Sequence, residues 1–143
     1  MKSAFEVCMK SGGIERVTQE QEVWEKERRE AETALTNAIG YGEENDPRRA
    51  MQEAYYAIFF ALRAPLLKMG FRPKSPSCLK HAVEELLVKA GKLDRDLMIG
   101  LEMALEMRVQ LGEHFTGIFY LHEDSQELVR FADHVVTATA RLV

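Results

Sequence analysis

Apolar positions recur along most of this chain with the period of an α-helix, but one stretch is apolar around most of its circumference. In AYYAIFFALRAPLLKMG, Ala54 to Gly70, the residues Tyr55, Ile58, Phe59, Leu62, Leu66 and Met69 follow helical spacing. Tyr56, Phe60 and Leu67 fill the flank beside them. A helix of that character has to be wrapped by others, which makes it the central helix of a bundle. Asp46 and Pro47 predict its N-cap and first turn, and Gly70 its stop. Pro65 lacks an N–H and crowds the carbonyl of Ala61, so a kink is predicted there.

The other helices are one-sided. Ala4, Phe5, Val7, Cys8 and Met9 form a short apolar piece ended by Gly12 and Gly13, a docking segment within residues 1–15. Thr18 and Gln21 stand in a capping-box relation and open a charged helix that turns Trp24, Ala31, Leu35 and Ala38 inward. Gly40 and Gly42 are expected to end it. GFRPKSPS reads as a basic turn in which Ser75 and Pro76 start a helix from Ser77 to Ala90. Asp94 caps the next, with Leu97, Leu101, Ala104 and Leu105 in register and Gly112 at its end. Residues 112–122 read as a loop. A last helix, about Glu123 to Leu142, buries Leu128, Phe131, Ala132, Val135 and Leu142. No alternation is long enough to build a sheet. The expected fold is all-α, an antiparallel up-and-down bundle of about five helices in one domain spanning 1–143.

Composition narrows the classes. The 143 residues have a net charge of −4 and no apolar run that spans a bilayer, so a cytoplasmic protein without a membrane partner is expected. Cys8 and Cys78 lie far apart without metal-ligand spacing and read as reduced thiols, Cys78 as a packed one. Within the acidic whole, residues 54–83 contain no Asp or Glu but carry Arg63, Lys68, Arg72, Lys74 and Lys80. That local charge of +5 is either a solvated flank or a phosphate-binding surface.

One residue breaks the apolar pattern. Arg108 continues the stripe of Leu97, Leu101, Ala104 and Leu105, where another Leu is expected, and a guanidinium turned inward or into an interface needs a partner. His114 follows past Gly112, giving Arg-x5-His. An arginine that holds phosphate and an imidazole that exchanges protons near neutrality suit metal-free RNA cleavage by the neighbouring 2′-hydroxyl. The alternative is an ion pair from Arg108 to Glu102 or Glu106, with His114 a loop residue. Tyr55 and Tyr56 need a partner for at least one hydroxyl, and Arg108 is a candidate. Among His81, His114, His122 and His134 none follows a Glu at the di-iron spacing. H-E-x-x-H, G-x-S-x-G and Walker A motifs are absent as well, and no metal or cofactor is expected.

AYYAIFFALRAPLL, GFRPKS, AGKLDRDL and LEMALEMR, in this order and spacing, resemble HEPN domains, the higher eukaryotes and prokaryotes nucleotide-binding family, in its small stand-alone prokaryotic form. The resemblance runs from about Arg16 to Leu142. It implies a helical bundle that forms homodimers with a cleft at their interface. It further implies either a metal-independent ribonuclease of toxin type, paired with a minimal nucleotidyltransferase antitoxin, or a non-catalytic module that binds RNA, a nucleotide or such a partner. Arg108 and His114 match the catalytic motif of active members. Arg63, Lys68, Arg72, Lys74, Tyr55 and Tyr56 are the residues expected to bind RNA or nucleotide. Val109, Thr116 and Pro76 depart from residues common in the family, so both readings stay open.

Overall fold

The fold was obtained as a computed structural model, and the structure describes residues 2–112 and 121–143. Among them are six α-helices: α1 (Ala4–Ser11), α2 (Gln21–Glu43), α3 (Pro47–Lys68), α4 (Pro76–Val83), α5 (Asp96–Gly112) and α6 (Leu121–Ala140). Twelve of the 22 residues of α3 are buried, and α2 and α6 both pack along it, so it is the axis of the bundle. Its start is the one predicted: the Asp46 carboxylate accepts from the Arg49 N–H, with Pro47 in the first turn. Despite Pro65 the helix continues to Lys68, and its last carbonyls are taken up by the N–H groups of Met69 and Gly70.

The α2–α3 seam is built from alanine. Ala31, Ala34 and Ala38 of α2 and Ala50, Ala54, Ala57, Ala61 and Ala64 of α3 are all buried. Small side chains let two helices approach closely along their ridges. Leu62, Leu66, Leu128 and Val135 fill the wider spaces between helices. Each such side chain contributes about 1.5–3 kcal/mol by leaving water.

The structure departs from the sequence reading in several places. Gly40 and Gly42 do not end α2, which runs to Glu43. Two glycines cost about 1 kcal/mol each in a helix, less than the packing against α3 returns. The reversal comes at Asn45, with φ of 59°, where Asp46 donates its N–H to the Tyr41 carbonyl. The Thr18 capping box does not form: Glu20 is the N-cap, without a side-chain bond. The preceding residues are held elsewhere, Val17 donating to the Gly70 carbonyl and the Gln19 amide to that of Lys68. Ser75 caps α4 as expected, by accepting from the Cys78 N–H, but α4 continues into a π-helical turn over Glu84–Val88.

GFRPKSPS is also more than a turn. Strand β1 (Ile14–Arg16) pairs antiparallel with β2 (Phe71–Pro73), matching Ile14 with Pro73, Glu15 with Arg72 and Arg16 with Phe71. Three-residue strands leave too little alternation to read, and these two are joined only by the folding of everything between them. Gly70 makes the approach possible: its φ is +94°, and a Cβ there would stand 3.3 Å from the Val17 carbonyl oxygen.

The thiols are not reduced. Docking of α1 against α4 brings Cys8 and Cys78 to a Cα–Cα distance of 5.8 Å, and they form a disulfide. Their separation in sequence hid this, because only the tertiary fold makes them neighbours. Among the described residues no helix is long and apolar enough to cross a membrane.

Two outcomes follow from this packing. Unfolded, unreduced protein will take up no maleimide and reduced protein will take up two, while Cys8→Ser will lower stability by about 2–4 kcal/mol for a bridge closing so long a loop. Labelling of both thiols before reduction would remove the bridge from the fold. Gly100 of α5 faces Phe131 of α6 so closely that an added Cβ would collide with the ring. Gly100→Ala should cost about 1–3 kcal/mol in denaturant unfolding, and Phe131→Leu in the same chain should recover part of it.

Candidate functional site

Tyr55 and Tyr56 lie on α3 where α5 crosses it. Tyr55 is 8% exposed, whereas Tyr56 is 41% exposed and its hydroxyl accepts from the Gln52 amide at 3.3 Å. Arg108, near the end of α5, places its guanidinium carbon 5.4 Å from the centroid of the Tyr55 ring. The arginine is therefore not turned into the core, one of the two settings, core or interface, that its place on the apolar stripe left open. It is exposed, and it lies over an aromatic face. Nor does it pair with Glu102 or Glu106: among the described residues Arg108 makes no ion pair, and Glu102 contacts Lys80.

Helical spacing extends the cluster along α3. Ring centroids of Tyr55 and Phe59 are 6.1 Å apart and those of Tyr56 and Phe60 are 6.5 Å apart, both pairs one turn removed. Arg63 stands over Phe59 at 5.4 Å. Burial pushes the Tyr55 hydroxyl above the ordinary tyrosine range, and the Arg108 charge partly opposes this by favouring the phenolate.

The basic segment is largely neutralised by carboxylates from elsewhere in the chain. Arg63 meets Glu27 of α2 at 3.3 Å, Lys74 meets Glu15 of β1 at 2.7 Å, and Lys80 meets Glu102 of α5 at 3.7 Å. Lys68 is exposed at the end of α3. Arg72 sits on β2, and among the described residues it has no ion pair. Glu27 is mostly buried, which raises its carboxyl above the usual range against the opposing charges of Arg63 and Arg72.

The structure thus brings together Arg108, Tyr55 and Tyr56, with Arg63 reached along α3 through Phe59. Arg72 and Lys74 belong to the β1–β2 corner instead. His114 falls outside the described residues. Sequence reasoning did not single out Glu27, whose i to i+36 relation to Arg63 has no local signature, nor Arg16, which reads as one more surface charge before the capping signal.

Chemically, the α3–α5 edge combines an accessible cation, an exposed phenol and a row of rings. Aromatic faces stack bases, and arginine binds phosphate and ring faces alike. A profile described as HEPN domain matches residues 24–142. No curated protein matches the chain with significance.

The Arg108–Tyr55 contact has a titration signature. In ultraviolet difference titration Tyr55 should ionise above the range of an exposed tyrosine, and Arg108→Ala should move it higher still, since the opposing charge is gone. A group held protonated in the folded state loses stability as pH rises from its unfolded value of about 10 through the folded one, so Tyr55→Phe should flatten the alkaline limb of the stability curve. A Tyr55 titration unmoved by Arg108→Ala would mean that the two do not interact.

Proposed function

The chain belongs to the HEPN domain family, and on that premise we propose that it is an RNA- or nucleotide-binding protein whose ligand is held at the α3–α5 edge by Arg108, Tyr55 and Tyr56. The carrying observation is an exposed guanidinium, without an ion pair among the described residues, lying over one tyrosine beside a second, exposed one. Base stacking on Tyr56 and a phosphate on Arg108 use both features at once. Arg63 acts beside this edge as a secondary contact for the phosphate backbone, weakened by Glu27, whereas Lys68, Arg72 and Lys74 lie toward the β1–β2 corner and are reached only by a longer strand.

The protein works as a homodimer. Its α5 buries Leu97, Met98, Leu101 and Ala104 while Ile99 is left 72% exposed and Met103 half-buried on the outer side. A lone exposed apolar residue is common on any surface, so the homodimer rests on the dimerising habit of the family, with Ile99 and Met103 as the α5 positions a partner would cover.

A catalytic version of the same site is favoured by the accessibility of Arg108 together with the Arg-x5-His spacing. In it, His114 removes the proton of a ribose 2′-hydroxyl, whose oxygen attacks the adjacent phosphorus. The P–O5′ bond breaks, leaving a 2′,3′-cyclic phosphate, and the departing 5′-oxygen takes a proton from the His114 imidazolium or from water to become a hydroxyl, while Arg108 stabilises the charge gathered on the phosphorane-like transition state. Pairing with a minimal nucleotidyltransferase, as antitoxin to this toxin, completes this reading.

Fluorescence anisotropy with a single-stranded RNA oligomer tests the binding. Arg108→Ala and Tyr56→Ala should each weaken affinity about tenfold, since loss of one stacked base contact costs about 1–3 kcal/mol. Unchanged affinity in both would refute the site. If the wild type also cleaves RNA in the presence of EDTA and His114→Ala does not, the catalytic version holds. Binding without cleavage leaves the module non-catalytic.

A further inference from the structure

Of the eight residues of α1 only Cys8 is buried. Phe5 and Met9 are half-buried, Phe5 meeting the Phe71 ring at a centroid distance of 6.0 Å, and the other five face water. Among the described residues no hydrogen bond or ion pair joins residues 3–11 to anything beyond Gly13. An isolated helix shorter than about 12–15 residues is marginal in water, so α1 owes its place to something stronger than these contacts. That is the bridge from Cys8 to Cys78 of α4.

The chain on either side of the bridge differs in how it is held. α1 stops at Gly12, whose φ of +82° suits glycine, and Gly13 follows, where an added Cβ would collide with the Cys78 sulfur. Immediately beyond, Ile14 is buried, the Lys74 N–H donates to the Gly13 carbonyl, and β1 pairs with β2. Two glycines thus separate a helix fastened by one covalent bond from a strand fastened by packing and hydrogen bonds. Cys78 lies inside the family match over residues 24–142 and Cys8 outside it, so the bridge ties a segment outside the matched domain to one within it.

We propose that Cys8–Cys78 is a redox-operated latch on α1: a small dithiol opens it, α1 leaves the surface by turning about Gly12 and Gly13, and the bundle stays folded. In the opening step a thiolate of the dithiol attacks one bridge sulfur, the S–S bond breaks, and the other cysteine leaves as a thiolate. The second thiol of the dithiol then displaces the first cysteine. Two electrons and two protons have passed to Cys8 and Cys78, and the dithiol is left as a cyclic disulfide. Opening uncovers the Phe71 ring where Phe5 meets it and leaves a free thiol at the half-buried Cys78, near the start of α4. Without the bridge the bundle is less stable, since the unfolded chain is no longer constrained, but α1 packs chiefly on α4 and β1 and takes no part in the α2–α3–α6 packing.

Hydrogen exchange read by mass spectrometry, on the full chain with and without dithiothreitol, tests this. Dithiothreitol in the absence of denaturant should free both thiols and speed exchange of the α1 amides at least tenfold, while the amides of α3 remain the slowest in the chain. Circular dichroism should show the loss of no more than one short helix. Reoxidation by oxidised glutathione should restore slow exchange in α1. Cys8→Ser and Cys78→Ser should each exchange their α1 amides at the reduced rate, with dithiothreitol making no further difference. The wild-type comparison needs no substitution, so a variant that folds poorly does not decide the outcome. A bridge that opens only in denaturant, α1 exchange equal in both redox states, or loss of bundle helicity on reduction would each overturn the assignment, the last by making the bridge a staple of the whole fold.

Discussion

Everything in this molecule is arranged around the burial of α3 on most of its circumference. A helix with more than half of its residues out of water leaves few positions to do anything else. On α3 beyond its first turn only Gln52, Tyr56 and Lys68 are exposed, with Glu53, Phe59, Phe60 and Arg63 half-buried between neighbours. The polar features of the fold follow from those exceptions. Arg63 lies on the side that meets α2, so it must find a carboxylate there, and Glu27 supplies it. Neither group is fully satisfied, since Glu27 Oε2 and Arg63 Nε have no hydrogen-bond partner. Removing either one strands the other charge, which is a far larger loss than the pair's net contribution. Tyr56 faces outward beside α5, which is what makes that edge available to a ligand.

Legibility in the sequence followed the range of the interaction. Caps are local, so Asp46 with Pro47 and Ser75 with Pro76 could be read directly and formed as read. The inward faces of α5 and α6 were equally clear, because periodicity reports burial wherever a helix has one dry side. What escaped depends on residues distant in sequence. The β1–β2 pair, the Cys8–Cys78 bridge and the Glu27–Arg63 contact all join segments that only the folded bundle brings together. Thr18 shows a local signal losing to a tertiary one. Its capping box is forgone because the adjacent backbone is drawn onto Gly70 and Lys68.

Arg108 and the basic segment are cases where the residues stood out in sequence but their surroundings were not foreseeable. Stripe position implied a guanidinium turned to the core or to an interface, and a long side chain at the edge of a stripe can carry its head group to the surface while its stem stays on apolar ground. Likewise the +5 sum over residues 54–83 suggested a continuous cationic surface. Three of its five charges face Glu15, Glu27 or Glu102, acids from three other elements. A sum along the chain has no access to charges that arrive through space.

Residues 4–20 deserve to be weighed apart from the bundle, because their hold on it is of a different kind. A ladder of three residue pairs is marginal in water by itself. Here it is lengthened by the Lys74 N–H to the Gly13 carbonyl and the Val17 N–H to the Gly70 carbonyl, and anchored by Ile14, which is 1% exposed. The disulfide adds a covalent tie from α1 to α4. Arg16 owes its position over Phe71 to all of these together, and none of them runs through the α2–α3–α6 packing. Loss of one anchor would consequently loosen the β1–β2 pair before it disturbed α3.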